Sequence, residues 1–527
     1  MSNTDYSSER RIAINAASRY GATAFRTLVI LILTPYLIRE VGIVFYGLQS
    51  LAGQALQFVA LASTAIGVSY DRFATEKYAR NDIDGMNSAL SVGLLLSLGS
   101  AFLYAICTVI VAFNAKLLFD LDDALVPTAR TVFLITGFAA TAHMLYKVWL
   151  APVFITQRFY LDAIASIIAS SMSLVSVWIA FQYLTPSIVI WVIITSLLRI
   201  GVEVLFIMPF CRKALPEVQP RLHKISSRAQ IKEMTGFSAL SLLGGLGHLL
   251  FYATDSIMIA NLDELGTEDI AYYSVAQRWD PQIHFLILSF VSVLAPIMVT
   301  DAARGNFDRL RNTYTRATRY CLILGMYPCL VLAIFSEGFF RHWLGESFVE
   351  ICPPIMRLIL MSLLLSIPCI VGYEILMAKR AIGKVVFGGL LGGLCNIVLS
   401  VFLVKQCNMG LLGIAVGSVT TMFITQSVLI PMMVRSHVKL SLKEFFWLGC
   451  AKAVVGAVPM VVVGILMVLY WPAQSLVMIL FQMALCGLVY AAGVWTLSLD
   501  TRDRRKVSSA ARQVIAKLQR LSSGGRS

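Results

Sequence analysis

Long apolar stretches follow one another along almost the whole chain. A helix needs about 20 predominantly apolar residues to cross the hydrocarbon core of a bilayer, and the sequence offers fourteen such stretches. With 58% hydrophobic and 14% charged residues, the chain is neither a soluble enzyme nor disordered. We therefore predict an all-α polytopic membrane protein with spans near 16–38, 44–68, 88–113, 126–151, 159–182, 188–209, 235–259, 272–297, 317–336, 354–378, 384–404, 411–434, 446–470 and 475–497.

The basic residues of the connections predict how the chain is oriented. With a cytoplasmic amino terminus, the outer connections contain only Arg39, Lys116, Arg341 and Lys405, and most other Lys and Arg residues lie inside. Because cytoplasmic loops are enriched in basic residues, we predict that both termini are cytoplasmic. This asymmetry explains most of the net charge of +14, and nucleic acid is not expected as a partner.

The amino terminus and the cysteines predict no processing or metal site. The first fifteen residues are polar and lack a small-residue cleavage site, so no removable signal peptide is expected. The ten cysteines form no CxxC motif and no Cys/His cluster. We therefore expect neither a zinc site nor a disulfide framework.

Two short motifs recur at nearly the same spacing and indicate an internal duplication. Residues 79–86 resemble 303–310, and residues 43–46 resemble 269–272. An even number of spans separates the copies, so the halves are predicted to be related by an axis along the membrane normal, with the substrate between them. The predicted domains are a six-helix bundle with a basic linker (1–233), a second six-helix bundle (234–445), two extra helices (446–497) and a basic amphipathic tail (498–527). The tail either lies on anionic lipid or is a solvated helix.

Several spans carry ionisable or polar side chains at mid-depth. A charge at the bilayer centre costs about 2.5–3.5 kcal/mol on insertion scales, so we expect these residues to face a protein interior or a wet cavity. The interior leans positive, which predicts a central cationic cavity between the bundles. Guanidinium groups match phosphate oxygens bidentately. The candidate substrate-binding residues are Arg19, Arg26, Gln54, Gln57, His143, Lys147, Arg199, Tyr252, Arg278, Gln282 and His284.

Other roles stay open for five of these cations. Arg19 and Lys147 lie close enough to the inner surface to extend their charges into water. Arg199 stands four residues before Glu203 and could pair with it. The alternative for Arg278 is pairing with Asp280 or Asp255, and for Arg26 an ion pair with another helix.

Spans 7 and 8 have further features. Span 7 places Ser238, Ser241, Gly245, His248, Tyr252 and Asp255 at alternating steps of three and four, which predicts a polar stripe on one side of the helix. In span 8, Pro281 removes a backbone hydrogen bond beside Arg278 and predicts a kink. Broken helices at mid-depth are typical of transporter substrate sites.

The fourteen spans, the duplicated six-span unit and the entry segment resemble the bacterial polysaccharide flippase family. The segment runs from Arg19-Tyr20-Gly21 through Pro35 to Gly42 and Tyr46-Gly47. This family belongs to the multidrug/oligosaccharidyl-lipid/polysaccharide exporter superfamily. The resemblance implies that the chain moves undecaprenyl-pyrophosphate-linked oligosaccharide from the inner to the outer leaflet of the bacterial cytoplasmic membrane. It also implies alternating access, a role in cell-surface polysaccharide biosynthesis (O antigen or exopolysaccharide), and a polysaccharide polymerase and a chain-length regulator as partners.

The driving force is left open by the sequence. No phosphate-binding GxxxxGK[ST] motif occurs, so direct use of ATP is not expected. The membrane potential could drive export of a negatively charged headgroup. The resemblance also implies Na⁺ or H⁺ coupling through Asp255 with Asn396, because relatives in the superfamily use an acidic residue of span 7 and polar groups of span 11.

Two other function classes are considered. One is a cation-coupled drug antiporter of the same superfamily, which usually has twelve spans and a more acidic cavity. The other is a membrane glycosyltransferase or polymerase using polyprenyl-phosphate sugars, suggested by Asp120, Asp122 and Asp123. The loop that carries these acids is short, whereas such enzymes usually have a long outer loop or domain. No catalytic residue and no resident cofactor is predicted.

Overall fold

A computed structural model describes residues 3–225, 227–303, 306–378, 382–438, 440–501, 503–505 and 508–509. Helices dominate these residues, and no strand occurs among them. Thirteen helices in the described part of the chain are long and apolar enough to cross a membrane. The chain is therefore a multi-pass membrane protein. Most of the predicted basic tail lies outside the described residues, and its amphipathic helix stays a prediction.

The longer helices correspond to the apolar stretches of the sequence. They are α1 (Asn3–Val41), α2 (Ile43–Ala79), α3 (Ile83–Phe113), α4 (Val126–Ile155), α5 (Tyr160–Tyr183), α6 (Ile188–Ala214), α7 (Arg228–Tyr252), α8 (Thr254–Ala260), α9 (Thr267–Gln277), α10 (Asp280–Ala303), α11 (Phe307–Trp343), α12 (Cys352–Ala378), α13 (Ile382–Lys405), α14 (Gly410–Ser436), α15 (Lys443–Tyr470) and α16 (Leu476–Ser498). Only Gly42 separates α1 from α2, and its φ of 99° is a conformation that glycine adopts without steric cost.

Side-chain caps begin several helices, and two of the caps are equivalent. The Asp82 carboxylate accepts a hydrogen bond from the Gly85 backbone N–H at the start of α3. The Asn306 side chain accepts one from the Arg309 backbone N–H at the start of α11. Both residues occupy the same place in the repeated motif, so the motif caps a helix in each half of the chain.

The predicted eighth span is broken. Its first part, α9, ends at Gln277, and α10 begins at Asp280, with Arg278 and Trp279 between them. Pro281 lies in the first turn of α10, where its missing N–H would have no helical partner anyway. Where Pro281 predicted a kink, the helix is interrupted at residues 278–279, and this places Arg278 at a helix end.

The chain packs into two compact units. The first comprises Met1–Gln282 with Gly383–Met422, and the second comprises Ile283–Ile382 with Phe423–Ser527. This division does not test the predicted bundle boundaries, which stay a prediction.

In the first unit, α1 to α6 form a closed ring. Helix α1 packs on α5, α5 on α6, α6 on α4, α4 on α3 and α2, and α2 on α1. Asn15 accepts a hydrogen bond from the Tyr160 backbone N–H at 3.1 Å, and Tyr36 stacks on Phe181 with ring centroids 5.8 Å apart. Because these contacts join the early and late parts of both helices, α1 and α5 run parallel.

The ring is extended by helices that pack on α2. These are α7, α8 and α9. Within α7, the Ser238 hydroxyl donates to its own helix at the Met234 carbonyl, and Gly245 faces Leu61 of α2. The helix ends at Tyr252, and Asp255 lies in the separate helix α8. The predicted polar stripe of span 7 is thus interrupted at Ala253; the His248 and Tyr252 side chains lie outside the described residues.

The second unit is built around α11. Helix α11 packs against α12, α15 and α16, and α12 packs against the second half of α14. Two tyrosine hydroxyls join α11 to α16: Tyr327 donates to the Met483 carbonyl at 3.0 Å, and Tyr490 donates to the Ile323 carbonyl at 2.6 Å. The two extra helices of the sequence therefore pack on α11 through hydrogen bonds as well as apolar contacts.

Candidate substrate cavity

A cavity of about 700 Å³ lies inside the ring of α1 to α6. Its volume is within the usual range for small-molecule sites. Four permanent cations and three carboxylates line it together with one histidine, so the basic side chains outnumber the acidic ones. The ionisable lining residues are Arg26, Asp71, His143, Lys147, Asp162, Arg199, Glu203 and Arg278.

Arg26 and Arg278 are the lining arginines without a carboxylate partner among the described residues. The Arg26 Nε atom is buried and has no hydrogen-bond partner. Arg278 is exposed at the break between α9 and α10. Neither residue takes part in an ion pair or hydrogen bond within the described part of the chain. The predicted alternatives, an ion pair for Arg26 and pairing of Arg278 with Asp280 or Asp255, are therefore not observed.

A glycine contact brings α9 close to α2, and Arg278 follows the end of α9. Gly47 lies in the first turns of α2, where a Cβ atom would come within 2.5 Å of the Thr267 carbonyl oxygen and 3.1 Å of the Ala271 backbone nitrogen. Helix α9 therefore approaches α2 more closely than any residue with a side chain would allow. This packing directs the end of α9, and Arg278 after it, to the cavity.

Glu203 organises the second group of charges. Its Oε2 atom accepts a hydrogen bond from the Tyr146 hydroxyl at 2.8 Å and lies 3.1 Å from His143 Nε2. Its Oε1 atom lies 3.4 Å from Arg199 Nε. The predicted Arg199–Glu203 pair is therefore present. It uses only the Nε side of Arg199, whose side chain remains 68% exposed.

A third group contains Lys147 and two carboxylates that sequence analysis did not identify. Lys147 interacts electrostatically with both Asp71 and Asp162. Asp71 Oδ1 is buried without a hydrogen-bond partner. Asp71 lies outside the predicted span because α2 continues to Ala79, well beyond its apolar stretch. Asp162 lies in the first turn of α5, where acidic residues are common in any helix.

The remaining predicted residues are distributed more widely. The Arg19 guanidinium lies over the Phe159 ring, 4.7 Å from its centroid, and interacts with Asp162. Gln54 and Gln282 are half-buried, each with a buried Oε1 atom that lacks a partner, while Gln57 is exposed. His284 is half-buried and belongs to the second unit. None of these five residues lines the cavity, and the Tyr252 side chain lies outside the described residues. A substrate role for each stays a prediction.

Asp255 and Asn396 meet in a separate buried cluster of the first unit. Asp255 accepts hydrogen bonds from the Tyr273 hydroxyl at 2.6 Å and the Ser418 hydroxyl at 3.5 Å. The Ser418 hydroxyl also lies 3.2 Å from Asn396 Oδ1, which receives the Ser400 hydroxyl at 3.3 Å. Asp255 is 1% exposed and Asn396 is fully buried. No cation pairs with Asp255 within the described residues, so the cluster is a set of oxygen atoms with one uncompensated carboxyl.

Comparison with solved structures shows which proteins share this fold. An inward-facing multidrug resistance MATE family transporter of the MOP superfamily is 15% identical, with a TM-score of 0.67 over 81% of this chain and 99% of that chain. The lipid II flippase MurJ in its inward closed conformation is 14% identical, with a TM-score of 0.63 over 90% and 97%. A MOP superfamily transporter from Pyrococcus furiosus Vc1 (DSM3638), described as having a binding pocket of reverse polarity, is 14% identical, with a TM-score of 0.62 over 82% and 96%. At these identities the likeness shows the fold alone.

Sequence comparison identifies the family. No curated protein sequence matches the chain significantly. A family described as polysaccharide biosynthesis protein matches residues 76–353, just over half of the chain. The predicted resemblance to a polysaccharide transporter family is thereby confirmed. The chain belongs to this polysaccharide biosynthesis family, and it has the fold of MOP-superfamily transporters.

Proposed function

We propose that the protein is a flippase for polyprenyl-pyrophosphate-linked oligosaccharide. One observation carries the proposal: the guanidinium groups of Arg26 and Arg278 line one cavity, and neither pairs with a carboxylate of the described residues. An arginine inside a membrane protein is costly, so two unpaired ones in a single cavity favour an anionic guest. Pyrophosphate suits them because each guanidinium fork matches two phosphate oxygens.

The proposal is tested by transport in vesicles. The full chain would be reconstituted with fluorescent undecaprenyl-pyrophosphate oligosaccharide, and movement between leaflets would be followed with a membrane-impermeant quencher. We expect Arg26→Gln and Arg278→Gln each to lower the initial rate about tenfold to a hundredfold, since a charged hydrogen bond contributes about 1.5–3 kcal/mol. Arg357→Gln is the matched control, because Arg357 pairs with Glu337 in the second unit. Wild-type rates in both cavity variants would contradict the proposal.

We further propose that Asp255 and Asn396 couple transport to Na⁺ or H⁺. The support is a buried carboxyl surrounded by hydroxyl and amide oxygens, a ligand set that suits either a hard cation or a proton. The expected result for Asp255→Asn is loss of the rate increase that an imposed Na⁺ or H⁺ gradient gives, with basal flipping retained. Separate Na⁺ and H⁺ gradients identify the ion. An unchanged response to both gradients in Asp255→Asn would contradict this role.

The proposed orientation places both termini in the bacterial cytoplasm, with the carboxy tail against anionic lipid. Cys407 offers a direct test because it is a free, exposed thiol in the connection between α13 and α14, which is outside in this orientation. An impermeant maleimide should label Cys407 in intact spheroplasts, and Cys407→Ser should remove that label. Labelling of Cys407 only after the membrane is opened would reverse the orientation.

The carboxylates that line the cavity support a second candidate function. Asp71, Asp162 and Glu203 all line it, and carboxylates suit the organic cations that a drug antiporter of this superfamily would carry. The same vesicles separate the two functions. Ion-driven accumulation of a fluorescent organic cation, without movement of the lipid-linked oligosaccharide, would favour the antiporter.

A further inference from the structure

The lining of the cavity changes from charged to neutral along a single helix. On α6, the lining residues Trp191, Thr195, Arg199 and Glu203 follow one another at steps of four. Residues four apart lie on the same side of a helix, about 6 Å apart along its axis. This side therefore presents first an aromatic ring, then a hydroxyl, then a cation and then a carboxylate.

Helices α1 and α5 show the same order. On α5, Asp162 is followed by the lining residues Ser166, Ser170 and Ser173. On α1, Arg26 is followed by Thr34, about 12 Å further along the axis. Because α1 runs parallel to α5, and a connection of only four residues reverses the chain between α5 and α6, the neutral groups of the three helices lie at the same end of the cavity.

The neutral end combines aromatic rings with hydroxyl groups that have no partner. The Tyr46 and Trp191 rings are nearly parallel, with centroids 6.3 Å apart, and both residues line the cavity. Thr34 and Tyr46 are each 3% exposed. Neither their hydroxyls nor those of Ser170 and Ser173 take part in a hydrogen bond within the described residues. These hydroxyls line the cavity without a protein partner, so a guest that carries hydroxyl groups can bond to them.

We infer that this neutral end, formed by Thr34, Tyr46, Ser170, Ser173 and Trp191, binds an uncharged sugar ring of the substrate. The inference rests on the proposed function. It places the phosphate of the lipid at the arginines, and the sugar attached to that phosphate at the neutral end of the same cavity. A pyranose ring brings hydroxyls for the unpartnered side chains and an apolar face for the aromatic rings.

Other guests fit this end less well. A phosphate at this end would find no cation from α1, α5 or α6, since the charged side chains of these helices lie toward the other end. An acyl chain would cover the hydroxyls of Thr34 and Tyr46 without giving them a partner, which is unfavourable. The sugar therefore lies beyond the arginines, toward the connection between α5 and α6.

The test separates recognition of the sugar from recognition of the phosphate. Binding to the full chain in nanodiscs would be measured for sugar-free undecaprenyl pyrophosphate and for the same lipid carrying one hexose or one N-acetylhexosamine. The test variant is the double substitution Thr34→Val with Tyr46→Phe. It removes two hydroxyls that have no partner in the structure, so no internal hydrogen bond is lost. Thr131→Val is the control, because its hydroxyl bonds only to its own helix at the Pro127 carbonyl.

We expect the wild type to bind at least one glycosylated lipid about tenfold more tightly than the sugar-free lipid, and the double variant to lose this preference. The affinity of the double variant for sugar-free lipid should equal that of the wild type. The inference is overturned if the wild type prefers no glycosylated lipid, if the preference survives in the double variant, or if the sugar-free lipid is weakened equally. Binding of none of the lipids by the wild type, or an unchanged affinity for all of them in Arg26→Gln, would instead overturn the proposed function itself.

Discussion

Arginines inside the two units serve different purposes. In the first unit, Arg26 and Arg278 line a cavity and have no hydrogen-bond or ion-pair partner in the described part of the chain. In the second unit, Arg319 of α11 is 4% exposed, and each of its three side-chain nitrogen atoms donates a hydrogen bond to the protein. Its Nε and Nη2 atoms donate to the Leu448 carbonyl at 3.0 and 2.6 Å, and its Nη1 atom donates to Asp500 at 3.0 Å.

The difference shows how to distinguish a functional arginine from a structural one in a membrane protein. Position in a span does not separate them, because an arginine at membrane depth is costly in either role. The difference lies in the hydrogen-bond donors of the guanidinium group. A structural arginine donates to groups of the protein, whereas a functional one keeps its donors free for a ligand. Arg199 is intermediate, since Glu203 receives its Nε while the rest of the group stays exposed.

The largest expected effect is on stability, and it divides the two kinds of arginine. Arg319→Met should lower the free energy of unfolding by about 3 kcal/mol, because Asp500 and the Leu448 carbonyl lose a buried cation. This value is at the lower end of the range for a broken buried pair, since the Asp500 side chain is 43% exposed. Arg26→Met should change stability by less than about 0.5 kcal/mol, as it removes no bond. Thermal unfolding of the detergent-solubilised chain checks both.

Equal destabilisation by Arg319→Met and Arg26→Met would contradict the distinction between a structural and a functional arginine. Arg26 would then be structural, and the transport defect expected of Arg26→Gln would have to be attributed to misfolding. Arg357→Met provides a reference for a paired but exposed arginine, whose side chain is 42% exposed. Its loss should cost about 0–1 kcal/mol.

A smaller effect is expected from the carboxylate that restrains Arg199. Glu203→Gln keeps the size of the side chain and removes its charge, so the contacts with His143 and Arg199 weaken. We expect a loss of about 1–2 kcal/mol, since hydrogen bonds to a charged group contribute more than neutral ones. The freed Arg199 should also bind phosphate more tightly, by about threefold, because Glu203 no longer competes for it. Binding of sugar-free undecaprenyl pyrophosphate measures this.

A weaker affinity for the phosphate lipid in Glu203→Gln would reverse this interpretation. It would mean that Glu203 holds Arg199 in its binding position instead of competing for it. Tyr146→Phe is a useful second variant, because it removes the hydrogen bond to Glu203 Oε2 without changing any charge. It should destabilise the protein slightly and leave phosphate affinity unchanged.

The sequence predicted the fold, the two arginines of the cavity and the local Arg199–Glu203 pair, but not the charge pairs that join distant segments. Arg26 and Arg278 are conspicuous in the sequence because each interrupts an apolar stretch. Pro281 predicts the irregularity of the helix beside Arg278. Asp71 lies beyond the predicted span 44–68, and Arg319 lies at the start of the predicted span 317–336, because α2 and α11 continue for several turns beyond their apolar cores. Nothing local to the sequence joins Arg319 to Asp500, which is 181 residues away. Such partners depend on helix packing, which apolar periodicity does not specify.

The smallest expected effect concerns pH, at the carboxylate end of the structural arginine. Hydrogen bonds from Lys452 Nζ at 2.6 Å and from Arg319 hold the pKa of Asp500 below its usual value of 3.8. Because the pKa is lower in the folded state, the stabilisation is complete above pH 4 and is lost as the pH falls through the folded-state pKa. Asp500 is partly exposed, so solvent screening keeps the effect below about 1 kcal/mol. Thermal unfolding of the wild type and of Asp500→Asn at pH 7 and pH 3 measures it: the difference between them should be present at pH 7 and shrink at pH 3. A difference that does not change with pH would mean that the charge of Asp500 is not what stabilises the fold. No difference at either pH would mean that Arg319 is held by the Leu448 carbonyl alone, and that a single buried carbonyl is enough to make a membrane arginine structural.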